Sequence, residues 1–403
     1  MARRIAGTLI ALVALLVAAP QPKAQDRAGA LAQAYNRTGS ALFARLAREG
    51  GNIVLSPYSI GAAMAMASSG AREETAAQMA EVLGYPVAPA ELDAELPDLA
   101  AALESEIAQQ EGDTAVEIAN ALHLTGRGDL VSGDYRHLLE RKFSAEIFEG
   151  SDLDAINDWV SGKTHGKIEK ILSRLDPLSV CVLLNAVYFK GEWSQPFAAR
   201  ATAPAPFHLS TAETVNVPTM HKAGVYKLMQ FRGADIVELP YKGGRLSMLV
   251  VVPSQAGGAG HVPVDLDAAT IEAVVEGMGS AQPQRLALAM PKFRTEFGTN
   301  LIPPFRDMGM QLPFDQNRAD FAGIVESTED KDRIHISQIA HKAFIEVDEN
   351  GTEAAASTAI EFAVRSAAPA ATEFRIDRPF AYLIVDQANG AILFMGQVSD
   401  PRK

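Results

Sequence analysis

Cysteine is nearly absent: Cys181 is the only one among 403 residues. No intramolecular disulfide can form, so the fold must rest on its core, and a chain this long can bury a large one. Excess positive charge is absent too. The formal net charge is −13, which argues against broad nucleic-acid binding and favours solubility and the steering of basic partners. Signatures of catalysis are missing as well. There is no Gly-x-Ser-x-Gly elbow, no His-Glu-x-x-His, no phosphate-cradling Gly-rich loop and no Cys cluster. No spacing among the serines and the eight histidines singles out a nucleophile or a metal set. The expectation is a protein that is not an enzyme and has no catalytic residues, no metal and no cofactor. No Pro/Gly/Ser-rich linker and no internal repeat divides the chain, so residues 26–403 read as a single domain.

Long hydrophobic runs are lacking, with one exception. Arg3 and Arg4 precede an apolar run over 5–19 that ends at Pro20. A basic start, a short apolar stretch and nearby small residues fit a secretory signal peptide, and the run is too short for a comfortable membrane span. Residues 1–25 are assigned to this signal, with cleavage expected within 19–25. No cysteine follows the run, so a bacterial lipid anchor is not expected. The mature chain is expected to be secreted or periplasmic, without membrane attachment.

The composition that is present is ordinary for a globular protein, 48% hydrophobic and 21% charged. Residues 28–50 read as an amphipathic helix with Leu31, Tyr35, Leu42, Phe43 and Leu46 on the core face. Asn52–Ile60 reads as a short strand running into a helix, with Ser56 as N-cap and Pro57 at the first helical position. Helices are predicted over 73–83, over 88–112 with an acidic face, and over 135–143. Strands are predicted over 116–124, 180–189 and 286–293. The run 180–189 is apolar on both faces, as in a strand buried on both sides, and Cys181 in it reads as a buried small hydrophobe. Asn185 interrupts that run and must find hydrogen-bond partners there. His165, beside Gly166, reads as an exposed turn histidine.

The most unusual stretch is 346–379. An alternating run from Ala343 ends near Glu349. Then Gly351-Thr352-Glu353-Ala354-Ala355-Ala356-Ser357-Thr358 carries small side chains at almost every position. No large residue recurs at helical spacing, and no proline occurs from Gly351 to Ala368. Small side chains can enter a crowded interior without overpacking it. The stretch reads either as a flexible surface loop or as a segment able to be buried later as a strand. Asn350-Gly351-Thr352 is also an N-glycosylation sequon, and a glycan there would obstruct such burial.

Asp348-Glu349-Asn350-Gly351-Thr352-Glu353-Ala354-Ala355, then Phe374-Arg375-Ile376-Asp377-Arg378-Pro379-Phe380, and the closing run Ile392–Pro401 resemble the hinge and C-terminal signature of the serpins. The likeness extends over roughly Gly29 to Pro401. It includes Ile156-Asn157-Asp158-Trp159-Val160, similar to the helix that crosses the front of the main sheet. It also includes Lys190-Gly191-Glu192-Trp193, Pro291-Lys292-Phe293 and Leu312-Pro313-Phe314. The resemblance implies an α+β serpin fold, about eight to nine helices around three β-sheets, with a reactive-centre loop over about 350–373. It implies a shutter of Ser56, Ser59, Asn185 and His341, with His341 meeting Asn185. It implies a breach of Trp193, Lys292 and Glu349, with Lys292 pairing Glu349. It implies a hinge of Glu349, Gly351, Thr352, Glu353, Ala354, Ala355, Ala356, Ser357 and Thr358.

For activity, the resemblance implies a suicide-substrate inhibitor whose cleaved loop enters the central sheet and traps the protease covalently. Counting from Glu349 as the first residue, the seventeenth is Arg365, so the reactive bond is Arg365–Ser366. An Arg bait fits trypsin-like proteases, whose specificity pocket holds an Asp. A shifted frame, with Phe362 as bait for a chymotrypsin-like enzyme, stays open. So do an elastase-like or cysteine protease target and a non-inhibitory serpin. Some serpins bind heparin through a basic helix where this chain is acidic, so no heparin activation is expected. The chain is expected to act as a monomer.

Overall fold

A computed structural model describes residues 24–109, 114–124, 130–150, 152–175, 181–254, 266–325, 334–352 and 371–403. The chain opens with helix α1 (Ala24–Leu46) and a short strand β1 (Ile53–Leu55). Helix α2 (Pro57–Gly70) comes next, then α3 (Glu73–Leu83) and α4 (Leu96–Ala108). They lead to β2 (Ala115–Leu124), α5 (Gly133–Lys142), β3 (Glu146–Glu149), α6 (Leu153–Lys163) and β4 (Cys181–Glu192). Strands β5 (Ala203–His208), β6 (Thr214–Phe231), β7 (Ala234–Pro240) and β8 (Leu246–Pro253) lead to α7 (Ala268–Ser280). After β9 (Pro283–Pro291), β10 (Phe293–Asn300) and α8 (Ile302–Asp307), the last strands are β11 (Ile336–Val347), β12 (Gly351–Thr352), β13 (Thr372–Arg375), β14 (Phe380–Asp386) and β15 (Ile392–Val398).

The strands form two hydrogen-bonded networks, of six and nine strands, the larger of which divides at β6 into two sheets, and helices and strands are mixed as in an α+β fold. A six-stranded sheet has the order β10-β11-β12-β4-β2-β3. A second runs β1-β15-β14-β8-β7-β6, and a third places β5, β9 and β13 around the same β6. The long β6 serves both: Thr219–Lys227 pair with β9, and Leu228–Phe231 pair with β7.

Local chemistry explains the helix starts. The Ser56 hydroxyl accepts from the Ser59 amide at 3.1 Å, with Pro57 next in the chain. Ser132, Asp152 and Asp267 cap α5, α6 and α7 in the same way. Helix α2 is buried on every face except at Ala62, which its run of Ala, Gly, Met and Ser permits. It lies beneath the six-stranded sheet. On the opposite face of that sheet, Ile156 and Val160 of α6 pack against Ala121, Val182, Leu184 and Ala186. Both faces of β4 are therefore covered, as its apolar run requires.

Three predicted elements divide further than expected. The 28–50 helix ends at Leu46 and closes with a 3-10 turn at Ala47–Glu49. The 88–112 helix is a 3-10 turn at Pro89–Glu91 followed by α4; Pro89 and Pro97 each sit in a first helical turn, where the missing N–H costs nothing. The 286–293 strand is two strands in different sheets, β9 and β10, and the chain crosses between them at Lys292. The signal segment through Lys23, the bond Arg365–Ser366, the alternative bait Phe362, and the hinge positions Glu353, Ala354, Ala355, Ala356, Ser357 and Thr358 lie outside the described residues. Among the described residues, no helix is long and apolar enough to cross a membrane.

Candidate functional site, a seam in the six-stranded sheet

Strands β11 and β4 are the centre of the six-stranded sheet. They pair directly and in parallel from Ile336–Ala343 to Cys181–Val187. Above Ala343 and Val187 they no longer pair with each other. The two residues of β12 lie between them instead, with Thr352 opposite Val347 on one side and Gly191 on the other. The sheet is thus closed below and wedged open above by the first residues of the hinge.

A tight turn returns the chain from β11 into β12. The Asp348 amide donates to the Gly351 carbonyl at 2.9 Å, and the Asn350 amide donates to the Asp348 carboxylate at 2.8 Å. Gly351 has φ of 154°. A Cβ there would meet the Gly191 carbonyl oxygen at 2.0 Å, so only glycine allows the two backbones to approach. Thr352 is fully buried, and its hydroxyl lies 2.7 Å from the Tyr241 hydroxyl.

The turn is clamped from the side. The Trp193 amide donates to the Asn350 carbonyl at 2.8 Å, and the Phe197 amide to the Glu349 carbonyl at 2.8 Å. Trp193 Nε1 donates to the Asp348 carbonyl at 3.0 Å, and its indole stacks on Tyr241 at 4.7 Å. The Glu349 carboxylate accepts from Lys292 Nζ at 2.8 Å and from Thr202 Oγ1 at 2.6 Å. Partial burial opposes ionisation of Glu349, but the bonds from Lys292 and Thr202 outweigh it and hold its pKa below the usual value. The three breach residues expected from the resemblance therefore meet, and the chain's crossing at Lys292 brings the ammonium there.

The lower, closed part of the seam holds a row of polar groups. Asn185 pairs across the sheet with Asn120 on one side and His341 on the other. Its Nδ2 lies 2.6 Å from Asn120 Oδ1, 2.6 Å from Ser59 Oγ and 3.0 Å from the Ser59 carbonyl. With Nδ2 donating, Asn185 Oδ1 accepts, and His341 Nδ1 donates to it at 2.5 Å. His341 Nε2 then carries no proton, and it has no hydrogen-bond partner among the described residues. Complete burial lowers the His341 pKa from 6.5 to about 3, so the ring is neutral. Ser56 acts through Ser59: its hydroxyl fixes the first turn of α2, and so the height at which Ser59 meets Asn185.

Ser56, Ser59, Asn185 and His341 thus form one connected group. Asn120 belongs to it and escaped sequence reading, although an amide between Ala119 and Ala121 in an apolar strand carries the same signal as Asn185. Thr202 and Tyr241 were also missed, and Thr202 lies in a segment with no pattern that marks it. Cys181 is buried at the foot of β4, and burial pushes its thiol up to about 12, so it is no nucleophile. His165 is half exposed and faces Glu117 at 3.1 Å, in keeping with its turn reading.

A profile described as "Serpin (serine protease inhibitor)" matches residues 33–401. A serpin-like protein of Thermococcus kodakarensis is 36% identical over 372 residues, covering 90% of this chain and 83% of that protein. Antithrombin-III of Mus musculus is 31% identical over 385 residues, covering 92% and 82%. The crystal structure of a thermophilic serpin, Tengpin, in the native state superposes with a TM-score of 0.81 at 25% identity, covering 95% of this chain and 96% of that one.

Proposed function

The chain belongs to the serpin family, and from that premise we propose that it is a secreted suicide inhibitor of trypsin-like serine proteases. One observation carries the reading: Gly351 and Thr352 already occupy the mouth of the seam between β11 and β4. A strand that begins there has a defined path onward. Continuing the antiparallel register from Val347–Thr352 and Gly191–Thr352 brings Ala354 and Ala356 down the same face as Thr352. It then brings Thr358 opposite both His341 and Asn185. This face looks into the core, and every residue assigned to it is small, so nothing on it is too large to bury.

The chemistry begins as ordinary proteolysis. The protease serine oxygen attacks the Arg365 carbonyl, the bond to the Ser366 nitrogen breaks, and that nitrogen leaves with a proton from the protease's histidine. An ester now joins Arg365 to the protease. The released segment enters the seam, exchanging direct β11–β4 ladder bonds for two new ladders. Some fifteen residues at about 3.3 Å each would carry the tethered protease about 50 Å, and the resulting distortion keeps water from releasing it. The His341–Asn185 pair is the latch that must part, and Glu349 with Lys292 anchors the end that stays put. No heparin dependence is expected, because α4 carries Asp98, Glu104 and Glu106 and no Lys or Arg.

Denaturing electrophoresis with mass spectrometry after mixing with trypsin tests this reading. The expected result is a stable band at the summed mass and a released fragment beginning at Ser366. Cleavage at Arg365 with no covalent band would make the chain a substrate. No cleavage at Arg365 by trypsin, with a covalent band and cleavage after Phe362 when chymotrypsin is mixed instead, would move the target to chymotrypsin-like enzymes.

A further inference from the structure

The turn that seats β12 contains a reactive dipeptide. The chain has two Asn-Gly pairs, Asn350-Gly351 and Asn389-Gly390. In such a pair the glycine nitrogen can attack the asparagine side-chain carbon Cγ, because no glycine side chain stands in the way. Whether it does so depends on how firmly the two groups are held. Both asparagines are partly exposed, so access of water does not separate them. Their hydrogen bonds do. The Gly390 amide donates to the Asp386 carbonyl at 2.8 Å. Asn389 Oδ1 accepts from the Ala391 amide at 3.0 Å, and its Nδ2 donates to Glu106 at 3.2 Å. Attacking nitrogen and target carbon are both tied down there. The Asn350 side chain, in contrast, has no hydrogen-bond partner among the described residues. The Gly351 amide donates to the Asp348 carboxylate at 3.3 Å, just beyond the usual range for such a bond. That acceptor is a base, which the carbonyl facing Gly390 is not.

We propose that Asn350 is a site of spontaneous conversion to isoaspartate, and that the conversion releases β12 from the seam. The Gly351 nitrogen bonds to Asn350 Cγ while the Asp348 carboxylate takes its proton. The bond from Cγ to the side-chain nitrogen breaks, and that nitrogen leaves as ammonia with the proton handed on from Asp348. A cyclic imide remains. Water then opens the imide at the Asn350 backbone carbonyl carbon. The chain now runs through Cβ and Cγ, one carbon longer, and the former backbone carbonyl is a free carboxylate. In the intact turn that carbonyl accepts from the Trp193 amide at 2.8 Å, while the Asp348 amide donates to the Gly351 carbonyl at 2.9 Å. A lengthened turn cannot keep both bonds and still seat Thr352 opposite Val347 and Gly191. The inference concerns the uncut chain and does not depend on the inhibitor reading.

The test is peptide mapping by mass spectrometry, with enzymatic methylation of isoaspartate, during incubation of the full chain in neutral buffer. The chain is made in a host that attaches no N-glycans, so that the sequon stays bare. Each bond that must open first slows the attack, so Asn350 should convert about tenfold or more faster than Asn389. In urea the two rates should become similar. Equal rates in the folded chain, or no conversion of Asn350, would overturn the site. Asp348→Asn keeps an acceptor for the turn but cannot take the proton, and should slow conversion at least about tenfold; an unchanged rate would overturn the role of Asp348. Converted chains, separated by chromatography, should lose hydrogen-exchange protection at the Thr352 amide. Asn350→Asp, which adds the same charge without lengthening the backbone, should keep it. Converted chains with full protection would overturn the release of β12, and loss of protection in Asn350→Asp would assign the release to charge instead of chain length.

Discussion

Gly351 and Thr352 carry the demands of the seam as single residues. Gly351→Ala forces a Cβ against the Gly191 carbonyl oxygen, a backbone atom that cannot swing away. The variant should lose about 1–3 kcal/mol and withdraw β12 from the seam. Faster hydrogen exchange at the Thr352 amide would report the withdrawal, and unchanged protection would contradict it. Thr352→Arg places a charge in a fully buried position beside Tyr241, so insertion should fail after cleavage. Trypsin should then turn the variant over as substrate, and an undiminished yield of covalent complex would sink the insertion mechanism. His341 gives the seam a pH dependence. Its pKa falls from 6.5 to about 3 on folding, because burial disfavours the charged ring. Between those values the unfolded chain binds a proton that the folded chain does not. Stability is therefore complete above about pH 6.5 and declines as pH drops toward 3. Burial lowers His123 and His335 in the same direction, so the comparison with His341→Gln isolates the shutter. The urea midpoint of His341→Gln should fall less between pH 7 and 5, and an identical slope would mean that His341 does not contribute.

At the scale of elements, the seam is defined by what β4 and β11 do on either side of one row. Up to the Ala343–Val187 row they pair with each other; above it they pair with β12. In the proposed inserted state, continuing the register of β12 would bring Thr358 to the row of His341 and Asn185, next to an imidazole nitrogen that has no partner among the described residues. Thr358→Glu would deliver an unpaired carboxylate there, at a cost of about 1–3 kcal/mol or more. Slower insertion should shift trypsin reactions from complex toward cleaved product. An unchanged ratio in a titration of stoichiometry would contradict the register.

Much of this was legible along the chain. The cap at Ser56-Pro57, the doubly buried β4 and the lone Asn185 follow from composition and period. The pairs His341–Asn185 and Lys292–Glu349 came from motif resemblance, since partners 156 and 57 positions apart leave no local pattern. The crossing of the chain at Lys292 was not legible, because β9 and β10 are both apolar-alternating and only their neighbours differ. Nor was the seating of Gly351 and Thr352 in the sheet, which depends on Gly191 lying across the strand. Pro97 hid the break before α4, because proline is as common at a helix start as at a helix end.

For the whole molecule, the six-stranded sheet is open only at the top of its centre, where β12 sits between β11 and β4, and the proposed mechanism fills that seam with the chain that follows Thr352. Tyr241, Trp193 and Lys292 hold the turn at the open end of the seam, and the Asn185–His341 row closes its lower part. In the proposed mechanism, cutting the loop removes the tether that prevents the strand from entering. A fully inserted strand adds ladder bonds on both edges and buries its small face, so the cut chain should be the more stable one. The direct measurement is the melting temperature of the chain before and after a single cut within 360–370, made by a protease that is then removed. The account predicts a clear rise in the cut chain, abolished in Thr352→Arg. An equal or lower melting temperature after the cut would mean that the loop does not enter the seam.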